Sequence, residues 1–269
     1  MSVEFEPPPQ VYPRPTFARA RKLVERNILA YRHYWIAFTT GFFEPIFYLG
    51  AVGFGVGQFV DRIPYGGLEL EYAAFLAPGM LASSSLNGAL FDGFFTPFFK
   101  LNWQKTYDGM LTTPLNISDI ALGEIIWAMI RGTIYGASFL LVMLGLGLIR
   151  SPWAVLALPA VMLSGAALSS GAMVLVGITK EISSLDKVMT LIVVPMFLFS
   201  GTFYPVSLYP GWLQPIVMAT PLYHSATLLR DLTSGAADPG TLVHVAYLLA
   251  MFVLAATVAS RLIRKRLIT

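Results

Sequence analysis

Four ionisable side chains lie inside otherwise apolar runs: Glu44, Asp92, Glu124 and Arg131. A charge in hydrocarbon is costly, so such groups pair with one another or face a polar path. Glu44 lies about nine residues into the first run and Arg131 about eleven into the third. At a rise of ~1.5 Å per residue both sit roughly 13 Å deep. Matched depth predicts a Glu44–Arg131 ion pair that fixes helix packing; the alternative is a polar lining for a substrate path. Asp92 and Glu124 fall nearer the cytoplasmic ends of the second and third runs. Aromatic side chains at Phe43, Phe47, Phe91, Phe94, Phe197, Phe203 and Tyr204 are candidates to face such a path. Their rings would stack on sugars, and equally on planar drugs or acyl chains, or would simply face lipid. His224 and Arg230 are the polar groups of a late apolar segment. They are placed to meet a sugar or phosphate, or to cap short helices.

Other chemistry is missing from the chain. No GxxxxGK[ST] phosphate loop occurs, nor HExxH, nor GxSxG. The three histidines, His33, His224 and His244, are far apart in sequence, and cysteine is absent. We therefore expect no metal site, no disulfide and no catalytic role for this chain alone.

The elements that must position these residues are membrane helices. Hydrophobic residues make up 56% of the chain and charged residues only 12%, about half the charge of a soluble domain. Apolar runs fall at 35–59, 72–98, 120–149, 153–178, 188–204 and 242–263, each near the length that crosses about 30 Å of hydrocarbon. Lysine and arginine are divided unevenly between the two sides. The N-terminal segment carries Arg14, Arg19, Arg21, Lys22, Arg26 and Arg32; the second loop has Lys100 and Lys105, the fourth Lys180 and Lys187, and the tail Arg261, Arg264, Lys265 and Arg266. The other loops hold only Arg62, Arg150 and Arg230. The positive-inside rule places both termini in the cytoplasm. The net charge of +3 is this bias and not a nucleic-acid footprint. No cleavable signal is visible, so the first run should act as an uncleaved insertion signal.

Two domain-level segments follow. Residues 1–15 form a Pro-rich tail that should be disordered, and 16–269 one membrane domain. Within it, 16–33 reads as an interfacial amphipathic helix. Phe17, Ala20, Val24, Ile28, Tyr31 and Trp35 form one stripe, and Arg19, Lys22, Arg26 and His33 the opposite face. The stretch 105–114 in the longest cytoplasmic loop reads as a short helix ending in a turn. Asn116, Ser118 or Asp119 is placed to cap the next helix. Segment 205–240 is too apolar for a solvated loop, yet Pro210, Pro215, Pro221 and Pro239 forbid a continuous span. It reads as short re-entrant helices dipping into the outer leaflet. The fold class is thus all-α integral membrane, with six spans.

Several segments resemble the type-2 ABC export permeases: FLAPGMLASSS at 75–85, YDGMLTTPLNISDIALGEIIWA at 107–128, MFLFSGTFYPVSLYP at 196–210 and PLYHSATLLRDL at 221–232. The chain is most similar to the NodJ-type nodulation-factor (lipo-oligosaccharide) export permeases, and more distantly to daunorubicin-resistance permeases. The resemblance covers nearly all of the chain from residue 30 on. It implies a homodimer paired with two copies of a separate ATPase that binds ATP and Mg, located in a bacterial cytoplasmic (inner) membrane. It also implies ATPase docking through Arg19, Lys22, Arg26, Tyr107, Asp108 and Leu111, and outward movement of an amphipathic substrate. Drug efflux by the same architecture, or a membrane scaffold or enzyme without ATP coupling, are the alternative readings.

Overall fold

The computed structural model describes residues 17–31, 43–60, 62–181 and 183–268. It is mostly helical. Helix α1 (Phe17–Tyr31) precedes α2 (Phe43–Tyr48), which runs on through a π-helical stretch (Leu49–Gly55) and a 3-10 turn (Val56–Gln58). A two-stranded hairpin follows, β1 (Ile63–Tyr65) antiparallel to β2 (Leu68–Leu70), with Pro64 opposite Glu69. This hairpin is a strand pair in what the sequence presents as a plain loop. Its turn is Gly66-Gly67, both at positive φ, which suits a two-residue hairpin connection.

Helix α3 (Tyr72–Leu90) continues through a π segment (Phe91–Phe95) into α4 (Thr96–Asn102). Short α5 (Thr106–Met110) leads to α6 (Ile117–Gly145). Then come a 3-10 turn (Pro152–Leu156) and α7 (Ala157–Ile178), followed by α8 (Ser183–Val188), a π segment (Met189–Val193) and α9 (Val194–Leu198). The late segment holds a 3-10 turn (Val206–Leu208), α10 (Gln214–Met218) and α11 (Pro221–Ser234), before the last helix α12 (Thr241–Ile268).

Among the described residues, four helical stretches are long and apolar enough to cross a membrane: Tyr72–Asn102, Ile117–Gly145, Pro152–Ile178 and Thr241–Leu267. Within the described residues, the first run shows α2 leading into a π stretch, and the fifth a short apolar helix over Met189–Leu198 that opens on a π stretch. The long helices are not equally enclosed. The first is mostly buried, whereas the last turns most of its surface outward, as expected of a helix whose apolar side chains face lipid.

Small residues set the helix spacing where water cannot drive association. A Cβ on Gly136 of α6 would lie 2.4 Å from a Val161 methyl of α7, and one on Gly177 of α7 would lie 2.6 Å from Leu262 of α12. Only a bare backbone fits either crossing. The core runs along α3, where Phe75, Leu76, Ala77 and Leu81 are fully enclosed.

In segment 205–240 the prolines do what their chemistry allows. Pro215 and Pro221 occupy first-turn positions of α10 and α11, where the missing N–H costs nothing. Thr220 caps α11 through its side chain, and Gly235 ends it at φ 89°. Nearly every residue from Leu222 to Ser234 is buried, so α11 packs within protein. Trp212 and Leu208 stand about 70% exposed.

Candidate functional site: two polar nodes on one helical frame

The inner node is built at the start of α6. Asn116 and Asp119 form a reciprocal capping box, each side chain accepting the other's backbone N–H at about 3 Å. That satisfies two of the orphan donors at a helix N-terminus. Asp119 also accepts from the Arg19 guanidinium Nε at 2.9 Å. Helix α1 therefore lies against α6, with Ala20, Leu23, Val24 and Asn27 buried between them. The contact is close because Gly123 has no side chain; a Cβ there would stand 3.0 Å from that of Leu23.

One turn on, Glu124 is fully buried and gathers three donors from three other elements. Lys100 Nζ of α4 donates at 2.7 Å, Tyr107 Oη of α5 at 3.3 Å and Asn27 Nδ2 of α1 at 3.4 Å. A buried carboxylate is tolerable only with such a partner set. Burial, followed by the adjacent Glu124 charge, raises the Tyr107 phenol well above its usual range, so it remains a donor. Lys105, at the left-handed φ of 51°, turns the chain into α5. Beyond this anchor Asp108, Gly109, Thr112, Thr113 and Pro114 are exposed and Leu111 is half-buried.

Deeper in the bundle, Arg131 Nη1 contacts Asp92 Oδ1 at 2.6 Å, and Nη2 donates to Tyr135 Oη at 3.2 Å. The Tyr31 ring lies 4.8 Å from the guanidinium carbon. Asp92 sits in the π segment after α3. The Glu44 side chain, the partner expected for Arg131 from depth, lies outside the described residues. The C-terminal end of α7 is closed by Arg266 of α12. Its Nη1 donates to the Val176 and Thr179 carbonyls at 2.7 and 2.6 Å, and its Nη2 to Asn102 Oδ1 at 2.7 Å. A cation at a helix C-terminus suits both the free carbonyls and the dipole.

The outer node centres on Arg230 of α11, which is 3% exposed. Its Nε donates to the Phe75 carbonyl at 2.9 Å and its Nη2 to the Gly201 carbonyl at 3.0 Å. The guanidinium carbon stacks 3.9 Å from the Phe75 ring centre. Gly79 faces the same junction, where a Cβ would come within 2.9 Å of Thr202. Beside it, Asp231 accepts from Tyr65 Oη of the hairpin at 2.6 Å and from Thr241 Oγ1 of α12 at 2.8 Å. His224 and His244 bring their Nδ1 atoms within 2.7 Å, and the Tyr247 ring stacks on His224 at 3.8 Å. Burial, then the neighbouring His244, lowers the His224 imidazole to about 4.

The sequence-expected residues thus divide. Lys22 and Arg26 are exposed on α1, as a basic face requires, but Arg19 turns inward to Asp119. Tyr107 is an anchor and not a surface contact, while Asp108 stays outside. Phe43, Phe47 and Phe91 are more than half exposed and Tyr204 is 40% exposed. Phe197 and Phe203 pack edge to face at 5.3 Å. Phe94 is wholly enclosed beside Phe98, which takes it out of any open path. Arg230 commits its donors to carbonyls and His224 pairs with His244, so neither is presented to a passing ligand in this conformation. Sequence reasoning left out Glu124, Lys100 and Asn27 as one cluster. Glu124 was visible as a charge in an apolar run, but its donors come from positions 24 and 97 residues away in the chain.

Residues 20–233, from α1 through most of α11, match the family model described as ABC-2 type transporter. The chain belongs to that family. Among its relatives, the nodulation protein J of Rhizobium leguminosarum bv. trifolii is 32% identical over 244 residues, covering 90% of this chain and 92% of the relative. That of Rhizobium meliloti strain 1021 is 30% identical, with 90% and 91% covered. That of Sinorhizobium fredii NGR234 is 31% identical, with 91% and 92% covered. This ABC-2 chain is therefore a multi-pass membrane transporter subunit, and the family match takes in Glu124 of the inner node and Arg230 of the outer.

Proposed function

We propose that the chain is the permease subunit of an ATP-driven exporter in a bacterial cytoplasmic membrane, moving an amphipathic glycolipid or lipo-oligosaccharide outward. The observation that carries this reading is the convergence of α1, α4 and α5 on Glu124. A short helix with an exposed tip, anchored from behind to the foot of a long membrane helix, suits transmission of a push from a cytoplasmic partner. That partner is an ATPase chain holding ATP and Mg, two copies against a homodimer of permeases. Both permease termini lie on its side, and six spans separate it from the exit. The relatives carry the name nodulation protein J, and the resemblance to lipo-oligosaccharide export permeases favours a nodulation-factor-like substrate.

On this reading, closure of the ATPase dimer displaces the tip 108–114. Tyr107 passes the displacement to Glu124, and Glu124 to α6, α1 and, through Lys100, the end of α3–α4. ATP drives the change only in so far as its binding differs between the two states. The partner ATPase coexpressed with Leu111→Asp or Asp108→Arg tests the docking. Asp108 is exposed and Leu111 is only half-buried at the edge of the core, so Asp108→Arg should fold normally and Leu111→Asp is scored only on protein that elutes as a monodisperse peak. Copurification and substrate-stimulated ATP hydrolysis should each fall at least tenfold; unchanged values in both would contradict the proposal.

A further inference from the structure

A groove of about 440 Å³ opens on the flank of the bundle, between the last turns of α6 and the start of α7. Leu140, Leu141, Leu144, Ile149, Pro152 and Leu158 line it. One lining residue, Ser151, carries a side-chain oxygen, and that oxygen already accepts the Trp153 backbone N–H at 3.2 Å. Leu141 and Leu144 are about 60% exposed and Val155 80%, so the groove faces outward from the bundle. It lies within a membrane-crossing helix, at the end away from α1 and α5. At that depth in a membrane it would meet lipid chains, whose dispersion contacts an empty groove would forfeit.

The rim carries both signs of charge. Arg150, between lining residues Ile149 and Ser151, has its backbone N–H fixed to the Thr233 carbonyl at 2.9 Å. Its guanidinium reaches Glu71 at 3.1 Å, and both side chains remain substantially exposed, at 40% and 59%. Trp153 stands 58% exposed beside them, suited to the headgroup level. An apolar slot below a paired cation and anion complements a zwitterionic lipid. Phosphate would meet Arg150, a primary ammonium would meet Glu71, and one acyl chain would fill the slot.

We infer that this groove is a binding site for a phosphoethanolamine phospholipid of the leaflet away from α1 and α5. Its lining residues belong to neither polar node. A bound lipid would pack along the seam of α6 and α7 next to Gly136, where a Cβ would clash with Val161.

The chain can be tested whole, in vesicles of phosphatidylethanolamine and phosphatidylglycerol. A trace of phosphatidylethanolamine with a diazirine in its acyl chain is added, and photo-adducts are mapped by peptide mass spectrometry. Adducts should concentrate on 137–158, and Ala137→Trp, which fills the slot, should reduce them at least fivefold. Should that variant lose its monodisperse profile, Ala154→Leu serves in its place. The same diazirine chain on a phosphatidylglycerol probe should label the segment at least threefold less, and Arg150→Ala with Glu71→Ala should remove that preference. Adducts spread evenly onto exposed α12 residues such as Leu249 and Leu254 would overturn the inference. So would equal labelling by the two headgroups. Because the chain has no cysteine, Leu144→Cys reports the rival occupant: a disulfide dimer in the membrane would assign the groove to a second copy and sink the lipid site.

Discussion

The inner and outer nodes both bury charge, but they satisfy it differently. At the inner node, Glu124, Asp119 and Asp92 each face a full positive charge from another element, at 2.6–2.9 Å. At the outer node, Arg230 is held by neutral carbonyls and an aromatic face, and Asp231 by two hydroxyls. Ion pairs between separate elements keep attraction as the partners slide, because Coulomb energy falls only as 1/r. Hydrogen bonds to carbonyls weaken steeply once angles are lost. The inner arrangement therefore tolerates relative motion of α1, α4 and α5 against α6. The outer one locks α11 to α3 and to the turn at Gly201.

If the outer node is a lock, breaking it should cost the most. Arg230→Met leaves buried carbonyls without donors and should destabilise by about 3 kcal/mol or more. The expected result is loss of a monodisperse peak after detergent extraction. Arg230→Lys should not rescue it, since an ammonium cannot reproduce the planar fork. A well-behaved, active Arg230→Met protein would erase the contrast between the nodes.

At the inner node, Asp92→Asn removes the charge opposite Arg131 and should cost about 3 kcal/mol, as does breaking one side of a buried pair. The double change Asp92→Asn with Arg131→Gln should recover most of the loss in thermal stability. Equal melting of the single and double variants would mean that the pair is not coupled.

A smaller effect sharpens the outer half. His224 is held near 4 in the fold against about 6.5 in an unfolded chain. Below pH 6.5 the unfolded state binds the extra proton first, so stability falls as pH drops from 6.5 toward 4. His224→Gln should flatten that slope in melting curves taken at pH 7.5 and pH 5. An unchanged slope would show that the imidazole pair is not what acid attacks.

Much of the fold was readable from composition. The long apolar helices, the short helix near 105–114 and the proline-broken late segment follow from periodicity and from proline's missing donor. The Asn116 cap follows from its side chain. The β-hairpin at Gly66-Gly67 was readable in principle as a turn signal, but its strands are only three residues each. The sites were less readable. Depth arithmetic paired Arg131 with Glu44, whose side chain lies outside the described residues; among those residues Arg131 pairs with Asp92. Its position depends on a π turn at Phe91–Phe95, which rotates the helix face relative to a regular 3.6-residue repeat. No local pattern announces that rotation. Likewise the inward turn of Arg19 depends on Gly123 letting α1 approach α6, a contact across about a hundred residues.

The most direct test is coupling through Glu124. Glu124→Gln keeps the size and the acceptor oxygen while removing the charge that Lys100 faces. With the ATPase partner reconstituted in vesicles, ATP hydrolysis and substrate export are measured on the same preparation. We expect the partner to copurify normally and hydrolysis to persist within about twofold, with export per ATP falling at least tenfold. Export per ATP unchanged in a properly assembled Glu124→Gln complex would contradict the claim that the inner node carries the stroke.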